Sequence, residues 1–169
     1  MSLSLYEVTV PTLIRGLNVL SDYVDAAAKF AADKGVEPAS VITARLAPDM
    51  MTFAGQIQRA SDTSKGAIAR LTALQVPSFS DTETTFPELK ERIEKTVAFL
   101  KTVRPEDMAD SVKRNVEMKF PAISGVFSGA AFVLQFVLPN FFFHVATAHD
   151  ILRHNAVQVG KKDYLGKTA

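Results

Sequence analysis

Between residues 6 and 31 the apolar side chains fall at Tyr6, Val10, Leu13, Leu17, Leu20, Val24, Ala27 and Ala31, with intervals that alternate four and three. That spacing returns to one face of an α-helix at every step, and a seam this long is buried by packing against other helices. Pro11 falls early in the seam. Either the helix begins there with Thr9 as its cap, or it begins near Ser4 and bends at the proline. The seam keeps its register across Pro11, which favours one bent helix ending near Gly35.

The rest of the chain repeats the helical period three more times. "VEPASVITARLAPDM" reads as a linker with a short helical turn after Pro38. A second long helix is expected from about Pro48 to Leu74, with Met50, Phe53, Ile57, Ala60, Ser64, Ile68 and Leu71 inward. The breaker-rich "QVPSFSDTETTFPEL" is a loop, and Thr85 with Glu88 forms a capping box for a third helix that turns Leu89, Ile93, Val97 and Leu100 inward. In "SVKRNVEMKF", Val112, Val116, Met118 and Phe120 change to period two, the signature of a short strand whose partner is not evident. The helical period returns at Ser128 and runs to about Asn155. The expected architecture is all-α: a four-helix bundle over residues 1–169 as a single domain, with a short extended or strand segment in the crossover before the last helix.

Composition removes several function classes. The chain has 19 Lys and Arg against 18 Asp and Glu, too even a balance for a dedicated nucleic-acid binder. Without cysteine it has no disulfides, thiolate metal sites or cysteine nucleophile, which fits a cytoplasmic location. The start "MSLSLYEVTVPTLIRG" lacks the pattern of a secretory leader. Residues 129–148 are long enough to cross a bilayer, but Gln135, Pro139, Asn140 and His144 interrupt them and no basic flank marks an inside end. The expectation is a soluble core helix and no membrane.

The chemistry concentrates in "VLPNFFFHVATAHDILRHN". Projected at about 100° per residue, Val133, Val137, Asn140, His144, Thr147 and Ile151 share a face. His154 falls at its edge and His149 on the opposite side, near Phe142 and Arg153. Asn140 and His144 therefore stack one turn apart. Pro139 removes a backbone hydrogen bond beside them and pushes away the Gln135 carbonyl, leaving polar backbone that Asn140 or the Gln135 side chain could satisfy. His144 has three readings: a hydrogen-bonded core histidine, a metal ligand, or a general base. A metal would need further ligands from facing helices. Asp62 on the second helix is the nearest candidate, although it can equally pair with Lys65. No HxxxH or ExxH pair occurs.

"RLAPDM", "QIQRASDTSKGAIARL", "PNFFFHVATAHDILRHN" and "GKKDYLG" together resemble an uncharacterised domain family of the DinB/YfiT-like superfamily, over nearly the whole chain. The resemblance implies a four-helix bundle that is often a homodimer. In many members it implies a divalent metal (zinc, nickel or iron) held by three histidines, two of them four apart on the last helix, and in some a thiol-dependent transfer or isomerisation. By position, His144 matches the second histidine of that pair and Asn140 stands at the first. The second helix offers no histidine for the third.

Three functions follow. One is a metal- or thiol-dependent transferase with a degenerate site of His144, Asn140 and Asp62. Another is a non-catalytic homodimer binding a small-molecule ligand near Pro139, with Gln135 and Thr147 among its pocket candidates. The third is a structural homodimer joined through Phe142 and Leu138. The tail "VGKKDYLG" is expected to pack back through Tyr164 and Leu165.

Overall fold

The computed structural model describes residues 3–120 and 123–166. The side chain of Phe120, one of the expected inward residues of the strand, lies outside the described residues. Helix α1 runs Leu5–Lys34, α2 Pro38–Ile42, α3 Phe53–Leu71 and α4 Phe86–Thr102. Two 3₁₀ turns, Pro105–Met108 and Ser111–Lys113, lead into strands β1 (Asn115–Phe120) and β2 (Ile123–Ser128). The chain closes with α5 (Gly129–Phe132), a π-helical segment (Val133–Val137), α6 (Leu138–His154) and α7 (Lys161–Leu165). The described chain is mostly helical, in seven α-helices where the sequence suggested four, because short helices form in the linker, in the tail and ahead of the π segment.

The first helix begins at Ser4, whose hydroxyl accepts from the Glu7 backbone while the Glu7 carboxylate accepts from the Ser4 N–H. It continues through Pro11 and ends on Gly35, whose φ of 62° is the left-handed cap that glycine adopts without a Cβ penalty. Helix α3 starts later than the periodicity suggested. Thr52 caps it by accepting from the Gly55 N–H, and Met50 lies in the preceding turn. The capping box at Thr85 and Glu88 opens α4. On that helix Val97 is only half-buried, and Arg92 and Thr96 are buried instead.

The unplaced strand partner is β2. The strands pair antiparallel, with Asn115 opposite Ser128 and Met118 opposite Gly125. Val116 and Met118 are buried as the alternation required, whereas Val112 lies in a 3₁₀ turn and is exposed. The hairpin delivers the chain to Ser128, which caps α5.

Helix α1 packs on α4 and α6, and α3 packs on the same two, so the four long elements close a ring around one core. The segment Gly129–His154 is long and apolar enough to cross a membrane by length and composition. In this fold Phe132, Val133, Val137, Phe141, Val145, Ala148 and Ile151 form its buried line. In the tail Tyr164 packs on the core, but Leu165 is exposed and is tied down through its carbonyl, which accepts from Arg15 Nη1 at 3.0 Å. Val157 and Val159, not singled out by the periodicity, anchor the approach to α7.

A close helix contact lies between α1 and α6. A Cβ built on Gly16 would stand 2.3 Å from the ring of Phe141, which is fully buried. Gly16→Ala should therefore destabilise the protein by about 1–3 kcal/mol, even though alanine is the better helix former. Urea unfolding checks this, and a variant as stable as the parent would refute the contact.

Candidate functional site

The polar groups that matter lie between α3 and α6, which run antiparallel. Gln56 meets His144 near the start of α3, and one turn or more further on Thr63 meets Asn140. Because α3 and α6 also carry core residues on adjoining faces, this polar line is the rim of the core and opens to a cleft of about 460 Å³. Met51, Arg59, Asp62, Thr63, Gly66, Ala67 and Arg70 line one wall, and Phe132, Phe136, Asn140 and His144 the other.

The hydrogen bonds settle which atoms face the cleft. Gln56 Nε2 donates to the Met51 carbonyl at 3.1 Å, so its Oε1 is the atom turned to His144 Nδ1, 2.8 Å away. A carbonyl oxygen only accepts, so His144 carries its proton on Nδ1 and keeps a lone pair on Nε2. Burial first, and the charge of Arg59 second, push the imidazole pKa down to about 4. The same logic applies to Asn140. The Thr63 hydroxyl donates to the Arg59 carbonyl at 2.7 Å and accepts from Asn140 Nδ2 at 2.8 Å. Asn140 Oδ1 is thereby left without a protein partner among the described residues.

Asp62 lies on the same wall, but its charge is already engaged. Its carboxylate accepts from Arg92 at 2.8 Å and pairs with Lys65 at 3.2 Å and with Arg59 at 3.0 Å. Arg92, 3% exposed, also pairs with Asp81 at 3.0 Å and with Glu83 at 2.8 Å. Burial pushes the Glu83 carboxyl up, but hydrogen bonds from Arg92 and Gln58 outweigh it and hold it below the usual carboxylate range. Asp81 closes the network by pairing with Arg59.

The other candidates separate. Thr147 is buried but does not line the cleft, and Gln135 is exposed on the π segment and stands outside it. His154 is exposed. His149 is half-buried on the far side of α6, where Nδ1 meets the hydroxyl of fully buried Tyr23 at 2.8 Å and the ring packs near Tyr164. It is thus a packed histidine of the α1 contact, on the side that the projection set opposite the inward face. Phe142 and Leu138 are half-buried against the core, and Arg15 sits over the Phe142 ring. The exposed apolar residues of this stretch are Leu134 and Phe143.

The donor set does not fit the divalent metal that the resemblance implies. Among the described residues no cluster of three or more His, Asp or Glu gathers around a common point. His144 is the one imidazole on the cleft, Asn140 presents a weak amide oxygen, and Asp62 is neutralised by three cations. A dication placed there would also face the guanidinium groups of Arg59 and Arg70.

Comparison with known proteins agrees with this frame. A crystal structure of a DinB family member from Shewanella denitrificans superposes with a TM-score of 0.90 at 37% sequence identity, covering 97% of this chain and 93% of that one. The chain is thus a DinB-like protein. Residues 5–165 match a domain of unknown function, DUF1993, and the chain belongs to that family. No curated protein matches it. Sequence inspection missed Gln56, Thr63, Arg59, Arg70 and Gly66. The one available signal was Gly66, a glycine inside a helical pattern, where it lacks an obvious structural reason.

The depressed pKa of His144 has a consequence for stability. Between pH 6.5 and about 4 the unfolded chain binds a proton at this position that the folded chain refuses. Its contribution is therefore complete above pH 6.5 and is lost as the pH falls toward 4. Wild type should lose on the order of 2 kcal/mol more than His144→Gln between pH 7 and pH 4.5, measured by denaturant unfolding. Identical pH profiles would refute the buried neutral imidazole.

Proposed function

We propose that the chain is a small-molecule-binding member of the DinB family whose α3–α6 cleft works without a bound metal. In this reading it is a four-helix bundle in which the three short helices are appendages. His144 Nε2 and Asn140 Oδ1 receive hydrogen bonds from the ligand. The observation that carries this is the relay from the Met51 carbonyl through Gln56 to His144, which fixes one tautomer of a neutral imidazole at the cleft. An acceptor held this way is preorganised.

The competing reading is a metal- or thiol-dependent transferase working through a degenerate site of His144, Asn140 and Asp62. It draws on the family likeness and on the same Nε2 lone pair, which would also ligate zinc, nickel or iron. Metal analysis of protein purified without a nickel column separates the two, together with zinc and nickel titration of wild type and Asn140→His. We expect far less than one metal per chain and no stoichiometric binding by the variant, because Arg59 and Arg70 oppose a dication. About one tightly held metal per chain would favour the transferase.

We also propose that the protein is a soluble cytoplasmic homodimer. The support is Leu134 and Phe143, 58% and 55% exposed on the last long helical segment. Sedimentation should give a dimer for wild type and a monomer for Leu134→Glu combined with Phe143→Glu. A monomeric wild type at tens of micromolar, roughly the range where weak dimers persist, would refute it.

A further inference from the structure

The charges of the cleft balance except at one place. Arg59, Lys65 and Arg92 each have a carboxylate among Asp62, Asp81 and Glu83. Arg70 has none among the described residues. Its Nη1 donates to the Gly66 carbonyl of its own helix at 3.0 Å, which parks the guanidinium over the bare backbone of Gly66 at the cleft wall. A Cβ built on Gly66 would meet only that Nη1, at 3.0 Å. The middle of this wall is therefore covered by that mobile guanidinium alone, and a larger side chain at residue 66 would take its place. Across from it Phe132 and Phe136 stack with centroids 5.8 Å apart. The far end presents two acceptors, Asn140 Oδ1 and His144 Nε2. The Arg70 backbone lies seven residues, about 10 Å along the helix, from Thr63, to which Asn140 is tied, while its folded-back guanidinium rests at Gly66, three residues from Thr63.

We infer that the ligand of this cleft is a small organic acid, its carboxylate on Arg70, its apolar body across Gly66 and the phenylalanines, and a hydroxyl or amino donor at Asn140 or His144. This rests on the reading of the cleft as a ligand pocket. One unpaired guanidinium matches the planar, singly charged carboxylate, to which it can donate in parallel. The two acceptors select for a donor at the opposite end, because a bound molecule without one leaves them desolvated and unpaired. With the Arg70 side chain swung off Gly66 toward its own turn, a ligand with a six-membered ring and a short acid chain spans about 10 Å and fits within about 460 Å³.

Calorimetry or ligand-observed NMR tests this with 3-(4-hydroxyphenyl)propanoate, its primary amide and 3-phenylpropanoate. Wild type should bind the hydroxy acid at least about tenfold more tightly than the amide, and several-fold more tightly than the acid lacking the hydroxyl. Arg70→Gln should abolish the preference for acid over amide. Gly66→Leu, shown to be folded by circular dichroism, should bind none of the three. Should that variant misfold, Gly66→Ala gives a smaller loss in the same direction, since its methyl meets only the mobile end of Arg70. If the amide binds as well as the acid, or Arg70→Gln keeps the preference, the acid assignment is overturned while the pocket stands. If the glycine variants bind like wild type, the pocket reading itself falls. Failure of wild type to bind the hydroxy acid up to about millimolar concentration overturns the inference.

Discussion

A proline cannot donate the hydrogen bond that a helix needs at every interior position, and the last long helical segment places one at residue 139. The chain meets this constraint by widening a turn. The Leu138 N–H reaches back five residues to the Val133 carbonyl, and α6 then restarts with Pro139 in its first turn, where a missing N–H is harmless. The inserted residue shifts the phase of the side chains. Phe132 precedes the π segment, Phe136 lies within it, and Asn140 and His144 follow it, yet all four line one cleft. Without the π segment, a continuous α-helix would rotate Phe132 relative to Asn140 and His144. The aromatic and polar ends of the cleft therefore depend on the position of one proline.

The opposite wall is held by buried charge. Arg92 on α4 draws Asp62 of α3 together with Asp81 and Glu83 of the loop between those helices. Phe79 of the same loop lies 3.9 Å under Lys65 Nζ and also near Arg92. Such a network contributes less net stability than its contact list suggests, because each ion is stripped of water. Its consequence is geometric. It consumes the negative charge of Asp62 and holds Arg59 between the loop and the cleft. A ligand that pulled on Arg59 would compete with Asp81, so the loop and the cleft are physically joined.

The parts of this architecture legible in the sequence were those governed by local spacing. The seam from Val10 to Ala31 is buried, Gly35 ends its helix, and Thr85 with Glu88 starts another. These depend on residues three or four apart, which a reader can count. The β2 strand was illegible because only its ends, Ile123 and Phe127, are half-buried, so no alternation announces it. Inwardness of His144 followed from projection, but its partner Gln56 lies 88 residues away and nothing local marks it. The projection also treated α6 as having one buried side. Packing on both α1 and α3 gives it two, which is why His149 meets Tyr23 on the side set opposite the inward face. Buried Arg92 was equally hidden, since two of its carboxylates, Asp81 and Glu83, arrive from a loop whose path the sequence does not specify.

A metal site and an acid site need opposite fields, and the difference can turn on few residues. A divalent ion requires neutral or anionic donors with uncompensated lone pairs. Where a metal site would need a second imidazole beside His144, this chain has Asn140, an amide that Thr63 already holds in place. Committing Asp62 to Lys65 and Arg92 removes the remaining anionic donor of the cleft, and the unpaired Arg70 makes its residual charge positive. In the proposed reading the same bundle geometry then serves a different electrostatic end. His144 remains neutral because burial and Arg59 both disfavour its charged form, so at neutral pH it accepts a hydrogen bond and does not add a second cation. In that reading the acid group is drawn to Arg70 and the donor group to His144, and the cleft would fix the direction in which such a ligand lies.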